Sequence, residues 1–166
     1  MAKRFSLREF QQNVLNRIQV QTSSSEANPI ATLGVQLGGQ NWLVQMADIA
    51  EVLPLPALTP VPLAKPWFLG VANVRGKLYG ITDLSAFSGM GETVRGQSNR
   101  VLLVAEKYGF NAGLLVPRVI GLRDSTAWKQ TVLGIETCLC DEKGQIWHKL
   151  DMPELLQRAE FLQIGR

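Results

Sequence analysis

The stretch that decides the fold reads Gly70-Val71-Ala72-Asn73-Val74-Arg75-Gly76-Lys77-Leu78-Tyr79-Gly80-Ile81-Thr82-Asp83-Leu84. Two short apolar runs flank an Asn-Val-Arg-Gly segment, which predicts two strands joined by a tight turn. Asn73 and Gly76 are the residue types that accept a positive φ or close a turn through local hydrogen bonds. The hairpin tip then carries Arg75, and a guanidinium held there is better placed to meet a partner than to fill a core.

Short apolar runs separated by turn residues continue on both sides of this hairpin. Before it, residues 30–37 and 42–46 flank Gly38-Gly39-Gln40-Asn41, and residues 48–53 lead into a proline-rich loop ending at Trp67. After it, the apolar runs cover residues 101–105, 112–116, 119–122, 132–140 and 145–150. About ten short strands at this spacing, with helices only near the ends, predict an all-β fold built of small antiparallel barrels.

Both ends of the chain carry helical patterns. Apolar residues at helical spacing predict an amphipathic helix over residues 3–20, and the Ser-rich run up to Asn28 predicts a flexible linker. At the other end, Asp151 and Glu154 have the spacing of a capping box. They predict a closing helix whose apolar face includes Leu155, Leu156, Ala159 and Leu162.

The charge distribution and the lengths of the apolar runs argue against some classes of function. The 166 residues carry a net charge of +3, and the basic residues occur singly. A nucleic-acid-binding small barrel usually gathers basic and aromatic residues on one face, so this alternative function is disfavoured by the charge pattern. The sequence has no apolar run near the ~20 residues of a membrane span, and its start differs from a signal peptide. We therefore expect a cytoplasmic protein with reduced cysteines and no direct membrane insertion.

The sequence has only part of the residue sets that a catalytic triad or a tetrahedral metal site requires. The single histidine, His148, is expected to be structural or exposed, because no second histidine completes a triad or a histidine-based metal site. Cys138 and Cys140 are two residues apart in a predicted strand and face the same side. They could hold a soft metal, but no second pair completes a tetrahedral site, so packing roles are favoured. We expect no enzyme activity, no metal and no cofactor.

The carboxylates and the glycine-containing run also have structural interpretations. Asp48, Glu51 and Asp83 could supply a general acid and base, but Asp48 suits a turn or cap, and Asp83 suits the cap of the following turn. The run from Gly70 to Lys77 differs from a phosphate-binding loop in its glycine spacing and in having Leu78 where a hydroxyl must reach magnesium.

The residues from Trp67 to Gly76, continuing through Ile81-Thr82-Asp83-Leu84, resemble the CheW-like domain of bacterial chemosensory systems. Further parts agree with this resemblance: the hairpin around Gly38-Gly39, the segments 48–52 and 59–62, and the strand pair at 100–105 and 113–116. The resemblance covers about residues 29–160. The N-terminal helix, Trp67 and the C-terminal tail are most similar to the PilI branch, which serves type IV pilus twitching motility.

The resemblance implies a fold of two intertwined five-stranded, SH3-like β-barrels. Residues 1–28 would be the added helix and linker. Residues 29–166 would form one CheW-like domain with barrel subdomains at roughly 29–85 and 86–150 and a C-terminal helix.

The resemblance also implies a non-catalytic adaptor. Proteins of this family couple the hairpin tip of a methyl-accepting chemoreceptor to the regulatory domain of a CheA-type histidine kinase, in ring-like arrays recruited to membrane-bound receptors. The family's functional surface positions correspond to Glu51 and Arg75, and Ile49 and Val52 match positions near the partner-binding surface.

Overall fold

The computed structural model describes residues 31–165, so the predicted helix at 3–20 and the linker up to residue 28 lie outside the described residues. Eleven strands, three short α-helices and two 3-10 helices (Met46–Asp48 and Glu106–Tyr108) form within the described range. The strands are β1 (Ala31–Leu37), β2 (Gln40–Gln45), β3 (Ile49–Leu53), β4 (Phe68–Val74), β5 (Lys77–Asp83), β6 (Arg100–Val104), β7 (Ala112–Val116), β8 (Arg118–Asp124), β9 (Lys129–Leu133), β10 (Glu136–Cys140) and β11 (Ile146–Lys149). The helices are α1 (Leu84–Phe87), α2 (Met152–Gln157) and α3 (Ala159–Leu162). The predicted all-β class with a helical C-terminus is confirmed.

The strands form two sheets, and each sheet contains strands from both the earlier and the later part of the chain. One sheet has the order β8-β1-β2-β11-β10-β9 and the other has the order β3-β6-β7-β5-β4. Most neighbours are antiparallel, and the pairs β2–β11 and β5–β7 are parallel. Each sheet takes strands from both sides of residue 85. The segments 29–85 and 86–150 therefore each contribute to both sheets, which makes the two halves intertwined.

The largest core lies between the sheets. It joins side chains of β1 and β2, of β6 and β7, and of the C-terminal helices, including Leu33, Val35, Val44, Leu102, Val104, Leu114, Val116, Met152, Leu155 and Leu156. A second core inside the five-stranded sheet contains Ala72, Ile81, Val101, Leu103 and Leu115. Successive residues of β6 alternate between these two cores. Burial on both faces explains why β6 reads as a continuous apolar run and not as an alternating one.

One sheet has six strands where five were expected. Residues 132–140, predicted as part of one strand, are divided between β9 and β10. Gly134, in the loop between them, has a φ of 64°, a conformation that glycine adopts readily. The two strands fold back on each other with Glu136 opposite Leu133. A single run in the sequence thus becomes a hairpin.

The C-terminal helix begins as predicted but ends early. The Asp151 carboxylate accepts a hydrogen bond from the Glu154 backbone N–H at 3.1 Å, which confirms the N-terminal cap. Arg158 is extended, with φ −63° and ψ 126°, and it separates α2 from α3. This break brings Phe161 into the core, whereas Leu162, predicted to lie on the apolar face, is exposed. None of the helices in residues 31–165 has the length and apolar character needed to cross a bilayer.

Candidate functional site

The hairpin of β4 and β5 has a two-residue turn, Arg75-Gly76. Val74 pairs with Lys77 across the strands, and Arg75 and Gly76 have φ values of 52° and 82°. Positive φ at both central residues defines a type I′ turn, whose twist matches that of the flanking strands. The Asn73 side-chain oxygen accepts a hydrogen bond from the Gly76 N–H at 2.9 Å. Asn73 therefore closes the turn through its side chain from within β4, and Gly76 takes one of the two positive φ values.

Arg75 is an unusual residue for this turn. The left-handed conformation costs an L-residue other than Gly, Asn or Asp roughly 1–2 kcal/mol. Among the described residues, only Leu63 and Arg75 have a positive φ without being glycine. The hairpin on either side fixes the backbone of Arg75, so the base of its side chain has one direction in space.

Glu51 on β3 receives the guanidinium. Nη2 of Arg75 donates to Oε1 of Glu51, and the two side chains are 66% and 21% exposed. β3 and β4 are the two edge strands of the five-stranded sheet, so this ion pair joins the edges across the opening of the curled sheet. Because the pair is largely in water, it contributes only about 0–1 kcal/mol to stability.

The two predicted apolar neighbours of Glu51 have different environments. Ile49 is 1% exposed and belongs to the core between the sheets. The pairing of β3 with β6 shifts register between Ile49 and Glu51, so these residues, two apart, do not follow regular alternation. The side chain of Ile49 is therefore buried, although the resemblance places this residue near the partner-binding surface. Val52 is half-buried and packs against the same core.

Leu78 is a surface residue that sequence reasoning missed. Its side chain is 62% exposed although it is large and apolar. It lies opposite Asn73 in the hairpin register, next to the turn that carries Arg75. Lys77 beside it pairs with Glu106 at 3.6 Å. The sequence could have indicated this exposure, because Leu78 directly follows Lys77 near a predicted hairpin tip, where burial is difficult.

The base of the hairpin is held by the proline-rich loop. Thr59 and Val71 exchange two backbone hydrogen bonds of 2.8 and 2.9 Å. Gly70 has a φ of 133°, and a Cβ there would lie 2.4 Å from the carbonyl oxygen of Thr59. The loop and β4 therefore approach more closely than any other residue type at position 70 would allow. Trp67, at the end of the loop, packs edge-on against Phe87, with 5.0 Å between the two ring centroids.

The three carboxylates considered for acid–base chemistry have separate partners. Glu51 pairs with Arg75. Asp83 caps α1 and accepts from the backbone and hydroxyl of Thr93 at 2.8 and 2.7 Å, which confirms its structural role. Asp48 accepts from the Tyr108 hydroxyl; burial, followed by this hydrogen bond, raises the pKa of Tyr108 to about 12. These contacts favour structural roles for Asp48 and Asp83, whereas Glu51 is held in a partly exposed ion pair.

Within residues 31–165, one group of metal-ligating side chains comes together. It consists of Glu136, Cys138 and His148, on the six-stranded sheet. Cys140, on the same strand, instead directs its sulfur to the Asp141 carbonyl oxygen at 3.7 Å. Trp147, which precedes His148 on β11, is 2% exposed.

The fold and the hairpin identify the class of protein. Residues 31–160 match the CheW-like domain family, and the chain belongs to that family. A solved structure, the scaffolding protein TtCheW from Thermoanaerobacter tengcongensis, has the same fold, with a TM-score of 0.66 and 20% identity, over 80% of this chain and 96% of that chain. This likeness supports the SH3-like, two-barrel architecture.

Three curated relatives narrow the placement within the family. The chain is 40% identical over 91 residues to Protein PilI of Pseudomonas aeruginosa, covering 55% of this chain and 51% of PilI. It is 32% identical over 87 residues to the chemotaxis protein CheW of Rhizobium meliloti, covering 52% of this chain and 56% of that protein. It is 34% identical over 80 residues to Protein FrzA of Myxococcus xanthus, covering 48% and 49%. The chain spans about half the length of each of these relatives.

Proposed function

We propose that this protein is a non-catalytic adaptor that couples the cytoplasmic tip of a methyl-accepting chemoreceptor to the regulatory domain of a CheA-type histidine kinase. The observation that carries the proposal is the Arg75–Glu51 ion pair, presented by a rigid type I′ turn in a CheW-like domain. Arginine in a fixed position is a frequent hot spot of protein interfaces.

The choice of Arg at position 75 supports a binding role. Asn or Asp before Gly is the favoured pair for a type I′ turn, so Arg75 is not the residue that stabilises this turn best. Strained backbone positions are found preferentially at functional sites, where the side chain has a use that offsets the conformational cost. Here the use is an exposed guanidinium that is already paired and oriented.

The surroundings of Arg75 fit a protein partner. Leu78 offers exposed apolar surface on β5 close to the turn that carries Arg75, and half-buried Val52 lies on the same strand as Glu51. An apolar contact next to an oriented charge is the usual composition of an interface centre. The proposed contact surface therefore comprises Glu51, Arg75, Leu78 and the exposed part of Val52.

The proposed pathway is control of type IV pilus twitching motility. The identity to PilI supports this choice over flagellar chemotaxis, because it exceeds the identity to the CheW of Rhizobium meliloti. In such a pathway the adaptor acts in the cytoplasm, recruited to membrane-bound receptor arrays, and can alternate with the kinase in rings because the kinase regulatory domain has the same fold.

A pull-down with matched variants tests the proposal. Wild-type protein, Arg75→Glu and Arg158→Glu are immobilised and exposed to a CheA-type kinase and a receptor fragment from the same organism. Arg158 is a suitable control because it is also an exposed arginine paired with a glutamate, Glu154, at 3.0 Å. We expect retention by wild type and Arg158→Glu, and affinity about 30-fold lower for Arg75→Glu, equivalent to ~2 kcal/mol.

Two results would count against the proposal. One is wild-type protein that retains neither kinase nor receptor. The other is an Arg75→Glu variant that folds normally and binds both partners as well as wild type. Salt-dependent binding of single-stranded nucleic acid would instead favour the alternative function of a nucleic-acid-binding small barrel.

A further inference from the structure

Three metal-ligating side chains converge on the six-stranded sheet, which is not the sheet that carries Arg75. The Cys138 sulfur lies 3.4 Å from Nδ1 of His148, and the same nitrogen lies 3.6 Å from Oε2 of Glu136. All three ligand atoms lie within 4.8 Å of one another. None of these residues has a part in the proposed adaptor surface.

Strand register explains why the three side chains meet. β10 and β11 pair through Leu139 with Trp147 and Cys140 with Ile146. Continuing that antiparallel register by one step brings Cys138 opposite His148. Glu136 precedes Cys138 by two residues on the same strand and therefore shares its face. The cluster thus lies where the ladder between β10 and β11 ends.

The separations fit a tetrahedral metal site. With Zn–S near ~2.3 Å and Zn–N or Zn–O near ~2.0–2.1 Å, the edges of a tetrahedron around zinc are about 3.4–3.6 Å long. The distances from Nδ1 to sulfur and to the carboxylate oxygen already have these lengths. Thiolate, imidazole and carboxylate together are a ligand set that zinc accepts, whereas calcium and magnesium prefer oxygen alone.

The environment supplies both a fixed ligand and an entry path. His148 stacks on Trp42, with ring centroids 4.8 Å apart and an angle of 27° between the planes. Cys138 is buried, the His148 side chain is 16% exposed, and that of Glu136 is 67% exposed. An open groove of about 590 Å³ is lined by His148, Glu136 and Trp42. An ion can enter from the carboxylate side, and a water from the groove can complete four-coordination.

We propose that Glu136, Cys138 and His148 form a Zn²⁺ site that joins β10 to β11. On binding, the Cys138 thiol releases its proton to solvent, and the thiolate sulfur, Nδ1 of His148 and a carboxylate oxygen of Glu136 each donate an electron pair to zinc. No oxidation or reduction takes place. The metal then links the two strands one step beyond their last paired residues.

A simple hydrogen bond between the thiol and the imidazole is the competing interpretation. Burial, followed by the negative charge of Glu136, raises the pKa of the Cys138 thiol, so in the metal-free protein this group is protonated and can donate to Nδ1. Such a bond explains the 3.4 Å contact between Cys138 and His148 without a metal. The two interpretations differ in whether the sulfur becomes a ligand when metal is supplied.

Cobalt substitution distinguishes them. Protein purified without a histidine tag is treated with a chelator, titrated with Co²⁺ under reducing conditions, and then back-titrated with Zn²⁺. We expect one equivalent of Co²⁺ to give a thiolate-to-cobalt charge-transfer band and tetrahedral d–d bands, both removed by Zn²⁺. The sequence has two cysteines, so the thiolate must come from Cys138 or Cys140.

Matched variants assign the ligands. Cys138→Ser is expected to abolish the charge-transfer band and lower zinc affinity at least ~100-fold, and Glu136→Gln to lower it about 10-fold. Cys140→Ser, on the same strand, should bind like wild type. Circular dichroism and thermal unfolding check that each variant is folded.

A second readout does not depend on the cysteine variants. The chain has one histidine, so its imidazole nitrogens give a single set of NMR signals that zinc is expected to shift at Nδ1. The proposal is overturned if folded wild-type protein shows no charge-transfer band with Co²⁺ and no shift of the His148 signals with Zn²⁺. It is equally overturned if Cys140→Ser, and not Cys138→Ser, removes the band.

Discussion

Replacing Arg75 by Asn separates the turn from the guanidinium that it carries. Asn tolerates the left-handed conformation, and Asn-Gly is a preferred pair for a type I′ turn. The change therefore removes a conformational cost of roughly 1 kcal/mol and also removes an exposed ion pair with Glu51 that contributes about 0–1 kcal/mol. We expect the free energy of unfolding to change by less than ~1 kcal/mol.

The dependence of stability on ionic strength gives a second test of this prediction. High ionic strength screens the ion pair between Arg75 and Glu51, which is 66% exposed on the arginine side, but leaves the backbone preference unchanged. The stability of Arg75→Asn relative to wild type is therefore expected to rise with salt. Urea unfolding at low and high salt, followed by circular dichroism, measures the difference.

Binding affinity, unlike stability, is expected to change strongly. If the guanidinium is a hot spot for the kinase regulatory domain, Arg75→Asn weakens binding about 30-fold, or ~2 kcal/mol, while the fold is as stable as before. Titration calorimetry with the isolated kinase domain measures the affinity. The reasoning is refuted if the variant loses more than ~2 kcal/mol of stability, or if its affinity equals that of wild type.

Three further predictions concern the scaffold. Gly70→Ala is expected to lower the free energy of unfolding by at least ~3 kcal/mol, because the new Cβ would lie 2.4 Å from the Thr59 carbonyl oxygen. Gly76→Ala has open space around the new Cβ and should lower it by only about 1 kcal/mol. Equal losses of stability in thermal unfolding would contradict this prediction. Asp83→Ala should cost about 3 kcal/mol, since it removes a helix cap and leaves a buried N–H without its acceptor, and chemical unfolding would show a smaller loss for Asp83→Asn. Asp141 accepts the indole N–H of the buried tryptophan on β11, and this bond lowers the pKa of its carboxyl below the ordinary value of 3.8. The resulting stability is complete above that ordinary value and is lost as the pH falls through the lower folded value, so acid titration of Asp141→Asn should show a weaker dependence in this range.

The hairpin could be predicted because its determinants are local. The Asn-Val-Arg-Gly segment carries its own turn chemistry, and the side chain of Asn73 closes the turn as expected. The left-handed conformation of Arg75 was not predicted, because Arg is a poor choice for it on local grounds. Only the two-residue register between Val74 and Lys77 requires it.

The environment of β3 could not be read from its pattern. Ile49 and Glu51 are two residues apart, which predicts a shared face in a regular strand. The register shift against β6 breaks that alternation, leaving Ile49 in the core while Glu51 pairs with Arg75. A bulge of this kind depends on the partner strand, which is 50 residues away in the sequence, and therefore leaves no local signal.

Contacts between distant segments mark the limit of sequence reasoning at both candidate sites. Glu51 and Arg75 meet because the five-stranded sheet curls until its two edges approach each other. Their separation of 24 residues in the sequence gives no indication of this contact. The contact between Cys138 and His148 is more local, because the predicted strands at 132–140 and 145–150 are joined by a short connection that brings these residues opposite each other. The spacing of Cys138 and Cys140 suggests a pair of thiols, whereas in the structure Cys138 meets His148 and Glu136 and the Cys140 sulfur contacts the Asp141 carbonyl oxygen.

Reconstitution tests the central claim most directly. Membranes carrying a receptor from the same organism are mixed with its CheA-type kinase, with and without this protein, and the kinase retained after sedimentation is measured. The account predicts that kinase sediments only when the adaptor is present, and that Arg75→Glu reduces the retained amount while Arg158→Glu does not. Kinase retention that is independent of the adaptor, or that is equal for the two variants, would contradict it.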